Sequence, residues 1–231
     1  MSFEGKRFVV VGGGSGIARR IVVDAHAAGA EVLFAGRSPA EFTEPGVRTA
    51  VADLGDEASL KALAETAGEV DHLVTLAAAP ANGPVTELDR DAVTRAFEAK
   101  VIGPILLAKH FAPRMRDGGS IVLFSGVAAW RPAPERTVMA TANGAVAFLS
   151  QALAVDLAPI RVNAVSPGIV DSGAWDRLGD GKAQLFARTA QTNPARRVGH
   201  LADVSAATLQ LLANPFITGT VLHVDGGGRL A

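Results

Sequence analysis

A single α/β domain, a doubly wound parallel β-sheet with helices on both faces, is the fold that the sequence predicts. Two observations carry this expectation. Short β-branched runs alternate with Ala- and Leu-rich stretches along the 231 residues, and alternation at this spacing builds parallel sheets. Most of the runs are continuously apolar, as strands read when helices cover both sheet faces. Composition agrees: 48% of the residues are hydrophobic, enough for a sizeable core in a chain of this length.

Strands are expected at 7–12 (RFVVVG), 30–36 (AEVLFAG), 48–53 (RTAVAD), 71–77 (DHLVTLA), 119–125 (GSIVLFS), 160–166 (IRVNAVS) and 220–225 (TVLHVD). Helices are expected at 15–28, 57–67, 89–115, 137–158 and 202–213. The stretch TELD (86–89) reads as a capping box before the third of these, and Gly103–Pro104 should kink it. The longest irregular region, 171–199, follows a strand end, where doubly wound folds bind ligands. Trp175, Leu178, Leu185 and Phe186 in it form one apolar face, so it reads as a substrate lid within a single domain spanning 1–231.

Several function classes are disfavoured. The formal net charge is −1 with no block of like charge, which gives no footprint for nucleic acid. No apolar run approaches the ~18 residues that span a bilayer, so no membrane partner is expected. The N-terminal apolar run ends in glycines, as a strand entering a turn does and a signal peptide does not; a cytoplasmic protein is expected. The chain has no cysteine, so thiol chemistry is excluded. The histidines at 26, 72, 110, 200 and 223 show no metal-ligand spacing, and no metal is assigned.

The first strand runs into VGGGSGIARR (11–20). Gly12, Gly14 and Gly16 let backbone N–H groups approach a pyrophosphate, with Ser15 and Ile17 in the same turn, and the following helix N-terminus favours anions. Strand, glycine turn and helix at the head of a doubly wound pattern make this a Rossmann-type nucleotide site. After the second strand stand Arg37 and Ser38, where an acidic residue would hold the ribose of NAD. A guanidinium pairs with the 2′-phosphate of NADP instead, so the cofactor expected is NADP(H) rather than NAD(H).

GGGSGIA (12–18), ADLGD (52–56), DHLVTLAA (71–78), GSIVLFS (119–125), ALAVDLAPIRVNAVSPG (152–168) and ITGTVLHVDGG (217–227) together resemble the short-chain dehydrogenase/reductase family across essentially the whole chain. The resemblance implies that Asp53 and Leu54 meet the adenine and that Ala77 and Ala78 line the adenosine ribose. It further implies that Pro167, Gly168 and Val170 hold the nicotinamide carboxamide, with Ser172 beside it. The family's Asn-Asn-Ala-Gly thread is Thr75-Leu76-Ala77-Ala78 in this sequence, which keeps only the smallness.

The same resemblance locates four positions of acid–base chemistry. Aligned without gaps, the family's tyrosine position holds Met139, its lysine position Asn143, its serine position Gly126 and its asparagine position Lys100. The chain contains no tyrosine, so no shift of alignment restores one, and methionine has no proton to give. A positioned acid is worth ~10²–10⁴ in rate, less than the roughly 7–11 kcal/mol that positioning two reactants supplies. Loss of the tyrosine therefore slows such an enzyme without abolishing it. Candidate catalytic substitutes are Ser125, one residue before the serine position, and Lys100, a donor if desolvation lowers its pKa. The ordinary alternatives are a Ser125 that satisfies backbone groups and a Lys100 that faces solvent or a carboxylate. Asn143 can still hydrogen-bond the nicotinamide ribose, and Met139 makes an apolar wall.

Two functions follow. One is an NADP(H)-dependent short-chain oxidoreductase acting on a small, fairly apolar carbonyl or conjugated substrate, with a non-tyrosine proton donor. The other is a catalytically inactive NADP(H)-binding sensor or partner subunit. The resemblance also implies a homotetramer, or failing that a homodimer, joined through the helices at 89–115 and 137–158, where Ala140, Ala142, Gly144 and Ala145 permit close approach. Sedimentation velocity should show an oligomer at micromolar protein; a single monomer boundary overturns this expectation.

Overall fold

The computed structural model describes residues 1–38 and 40–231. Seven strands, β1 (Arg7–Val11), β2 (Glu31–Gly36), β3 (Arg48–Val51), β4 (Val70–Thr75), β5 (Met115–Phe124), β6 (Arg161–Pro167) and β7 (Val221–Val224), form one sheet in the order β3-β2-β1-β4-β5-β6-β7. Every neighbouring pair is parallel. The helices are α1 (Gly16–Ala27), α2 (Glu57–Ala67), α3 (Arg90–Phe97), α4 (Gly103–Phe111), α5 (Thr137–Asp156), α6 (Gly181–Thr192) and α7 (Leu201–Ala213).

The continuous apolar strands follow from this layering. Side chains alternate across a strand, and both faces of this sheet are covered. Val9 and Val11 of β1 join Leu33, Leu73, Leu107 and Phe111 in one core. Phe8 and Val10, alternating with them in sequence, join Phe34, Ile21, Val22 and Leu212 in the other. Fully burying a side chain of this kind contributes about 1.5–3 kcal/mol, and polar groups buried in the sheet, such as His72 and Ser120 at 2.8 Å, are paired with each other.

Four local expectations are corrected. Asp89 is itself the N-cap of α3, accepting from the Ala92 N–H at 2.8 Å, while Val85–Glu87 form a separate 3₁₀ turn. TELD is thus a turn followed by a cap, not a capping box. The single helix expected over 89–115 is two, α3 and α4, joined by a π turn at Glu98–Ile102. Pro104, which lacks an N–H, sits in the first turn of α4, where none is needed. β5 then starts at Met115, four residues before the apolar run that signalled it. The region 171–199 is not irregular: it holds a 3₁₀ turn at Asp176–Leu178 and the twelve-residue α6. Its two ends are pinned by a parallel bridge between Val170 and Gly199.

By length and mean hydropathy (1.5), α5 is apolar enough to cross a membrane, against the expectation that no stretch reaches that standard. Many small residues raise its hydropathy without forming a run of large ones. Val138, Ala142, Val146, Ala147 and Leu153 are buried along one face, the pattern of a helix packed on a sheet. On its other side Phe148 is 74% and Val155 82% exposed.

Arg161 opens β6 and is buried. Its guanidinium donates to the carbonyls of Leu211 (2.8 Å), Leu212 (2.6 Å) and Ile217 (3.1 Å). Two of these carbonyls end α7, where a cation also meets the negative end of the helix dipole. Arg161→Met keeps the buried stem but leaves the carbonyls without a donor. Urea unfolding should show a loss of about 2–4 kcal/mol; a change under about 0.5 kcal/mol would show that Arg161 does not hold α7 to the sheet.

Candidate active site

All seven strands end at the same edge, and two cavities open there. The first, about 550 Å³, lies over β1 to β4. Gly12, Gly13 and Gly14 line it from the β1–α1 turn, Arg37 and Ser38 from the end of β2, Asp53 and Leu54 from the end of β3, and Ala77 and Ala78 from the end of β4. β1 pairs with both β2 and β4, so this is where the strand order reverses, the usual ligand crevice of open parallel sheets.

The walls fit a dinucleotide. Ser15, the N-cap of α1, makes no side-chain capping bond, and the first turn carries no carboxylate, so the positive helix end is open to an anion. Gly16 has φ +58°, and a Cβ there would lie 2.5 Å from the Ser172 carbonyl oxygen; only glycine lets the turn lie against the start of the 171–199 segment. The Asp53 carboxylate accepts from the Gly55 N–H at 3.0 Å, which shapes the loop after β3.

The second cavity, about 1180 Å³, lies over the ends of β5 to β7 and under α6. Met139, Asn143, Pro167 and Gly168 line it, together with Trp175, Leu178 and Leu185 from the 171–199 segment. Phe186 does not line it; Lys182 lies 5.3 Å over its ring. The Trp175 indole donates to the Val170 carbonyl at 3.0 Å, which anchors the segment over the cavity mouth. Asn143 is buried. Its Nδ2 would stand 2.9 Å from a Cβ on Gly126, so a larger residue at 126 and Asn143 compete for one space. Its Oδ1 is buried without a hydrogen-bond partner among the described residues, an acceptor suited to a ligand hydroxyl.

The residues expected to bind cofactor divide three ways. Gly12, Gly14, Arg37, Ser38, Asp53, Leu54, Ala77 and Ala78 meet in the first cavity. Asn143, Pro167 and Gly168 meet in the second. Ser15, Gly16, Ile17, Val170 and Ser172 line neither; Ile17 packs on the core, Val170 is buried, and Ser172 backs Gly16.

The two candidate catalytic substitutes are placed elsewhere. The Ser125 hydroxyl is buried and donates to the Asn143 carbonyl at 2.8 Å, tying β5 to α5. Lys100 projects from the π turn into the interior, where its Nζ donates to the carbonyls of Phe124 at 2.9 Å and Ser125 at 3.4 Å. Neither side chain lines the large cavity. Sequence spacing brought both near the end of β5; it carried no information about which way each side chain turns.

Among the described residues, the one carboxylate on the second cavity is Asp225. Burial pushes its pKa up, but the N–H groups of Arg229 and Gly227 and the Arg229 guanidinium outweigh burial and hold it below the ordinary value. It is therefore ionised and saturated at neutral pH. The cavity's arginines, 131, 136, 177 and 188, escaped the sequence reading because they are scattered over 58 residues in no motif.

Known proteins with this architecture are many. A family model described as enoyl-(acyl carrier protein) reductase matches residues 12–228. L-xylulose reductase of Bos taurus is 34% identical, with 98% of each chain covered. Carbonyl reductase (NADPH) 2 of Sus scrofa is 30% identical over 98% of each chain. Among solved structures, a small-chain dehydrogenase in complex with NADPH superposes with a TM-score of 0.87 at 32% identity, covering 98% of this chain and 99% of its own.

Burial lowers the Lys100 pKa from 10.5 to about 8. Above pH 8 the folded state has released this proton while the unfolded chain keeps it until about 10.5. The unfolded state then binds more protons, and stability rises with pH across that window. The chain has no tyrosine or cysteine to titrate there as well. Urea melts of the wild type and Lys100→Met from pH 7.5 to 10.5 should converge, the wild type gaining on the order of 3 kcal/mol relative to the variant. Parallel curves would show that Lys100 is not desolvated.

Proposed function

The chain belongs to the short-chain dehydrogenase/reductase family, and from that premise we propose that this oxidoreductase uses NADP(H) to reduce an apolar carbonyl or conjugated substrate without a tyrosine acid. The observation that carries the reading is the pairing of cavities along one sheet edge. Glycines 12–14 and Arg37 share the first, while Asn143, Pro167 and Gly168 share the second with an apolar wall. Arg37 offers a bidentate match to a 2′-phosphate, and the free Asn143 Oδ1 offers a ribose hydroxyl its acceptor.

Bound there, the reduced cofactor supplies a hydride. The protein's own contribution is position, which acts without a proton donor. Among the described residues, the ionisable groups lining the large cavity are four arginines and the ionised Asp225. None is an acid suited to neutral pH. Proton delivery therefore falls to water. That favours a conjugated C=C bond over an isolated carbonyl, because charge left after hydride addition spreads over an enolate and needs no immediate protonation. The exposed Ile105, Phe148 and Val155 on α4 and α5 support assembly through these helices.

Fluorescence transfer from the two tryptophans to bound dinucleotide tests the cofactor. NADPH should bind at least about tenfold more tightly than NADH, and Arg37→Gln should remove most of that preference. Tighter NADH binding overturns the role of Arg37. NADPH oxidation should then be seen with enones before simple ketones. Cofactor binding without turnover of aldehydes, ketones, quinones or enones would make the protein a nucleotide-binding sensor or partner subunit.

A further inference from the structure

The large cavity carries more positive charge than hydride transfer to an apolar substrate requires. Arg131 and Arg136 enter it ahead of α5, Arg177 from the turn before α6, and Arg188 from α6 itself. Arg136 lies three residues before Met139, at the position aligned with the missing acid. The Arg136, Arg177 and Arg188 guanidiniums make no hydrogen bond or ion pair among the described residues. Arg131 donates once, to the Gly228 carbonyl at 3.1 Å. The opposing charge is engaged: among the described residues the one carboxylate lining the cavity, Asp225, is already held by Arg229 at 3.1 Å. Asp171 and Asp176 of the covering segment are taken by Lys182 at 2.9 and 2.6 Å.

Four guanidiniums around one saturated carboxylate leave the cavity with an excess of positive charge, which attracts an anionic ligand. The planar fork of arginine matches a carboxylate or phosphate with two parallel bonds. Met139, Trp175, Leu178 and Leu185 give the cavity an apolar wall beside the arginines. We infer that the substrate has an apolar body and an anionic group, a carboxylate or phosphate, which the cavity arginines bind. The inference rests on the oxidoreductase reading and specifies its substrate class. The 2′-phosphate of the cofactor is a separate anion, since Arg37 lies in the other cavity.

Isothermal titration of the protein with 2-naphthoate, its uncharged amide and 2-naphthyl phosphate tests this, with and without saturating NADP⁺. The anions should bind at least about tenfold more tightly than the amide. Arg136→Gln, Arg177→Gln and Arg188→Gln should each reduce that preference by about threefold or more, while Arg116→Gln, outside the cavity, leaves it intact. The stronger of the two anions identifies carboxylate or phosphate. Equal affinities for acid and amide, or no binding by any of the three, overturn the inference whatever the NADPH turnover. Anion-selective binding in a protein that never oxidises NADPH instead overturns the oxidoreductase reading and leaves the anion site standing.

Discussion

Seven strands running the same way deliver all their carboxyl ends to one edge, and every functional feature of this protein depends on that constraint. A parallel ladder cannot turn back through a hairpin. Each return needs a crossover, and most of the crossovers here are helices that bury both sheet faces. The loops left free are those at the carboxyl edge. β1 sends its glycine turn there, β2 its Arg37, β5 its Gly126 and β6 its Pro167–Gly168. Residues separated by more than 150 positions therefore line cavities at one sheet edge.

The junction of β5 and α5 shows how substitutions at one site accommodate each other. Gly126 leaves room for the Asn143 amide. The neighbouring Ser125 hydroxyl bonds the Asn143 backbone, and Lys100 donates to the successive carbonyls of Phe124 and Ser125. A buried lysine with two carbonyl partners and no carboxylate is costly, and its lowered pKa expresses that cost. The polar atom left unpaired in this cluster among the described residues is Asn143 Oδ1, on a residue that lines the large cavity.

Much of the site was legible because short motifs name backbone geometry. The glycines of VGGGSG need close approach and one positive φ, and Arg37 follows β2 at a fixed distance. Their destination follows from strand count alone. Ser125 and Lys100 were not legible in the same way. Both lie within a residue or two of a cavity wall, but a rotamer decides whether a hydroxyl or an amine faces ligand or backbone. The four arginines were invisible for another reason: two precede α5, one precedes α6 and one lies within it, and only folding brings these segments together.

The sequence by itself determined the doubly wound sheet, the glycine turn and the absence of a tyrosine, because periodicity, backbone freedom and composition are local or countable properties. Only the tertiary structure decided that Lys100 and Ser125 serve the backbone, that 171–199 contains a helix over a cavity, and that this cavity is positively charged. Those outcomes turn on side-chain direction and on the meeting of distant segments, which no window of sequence contains.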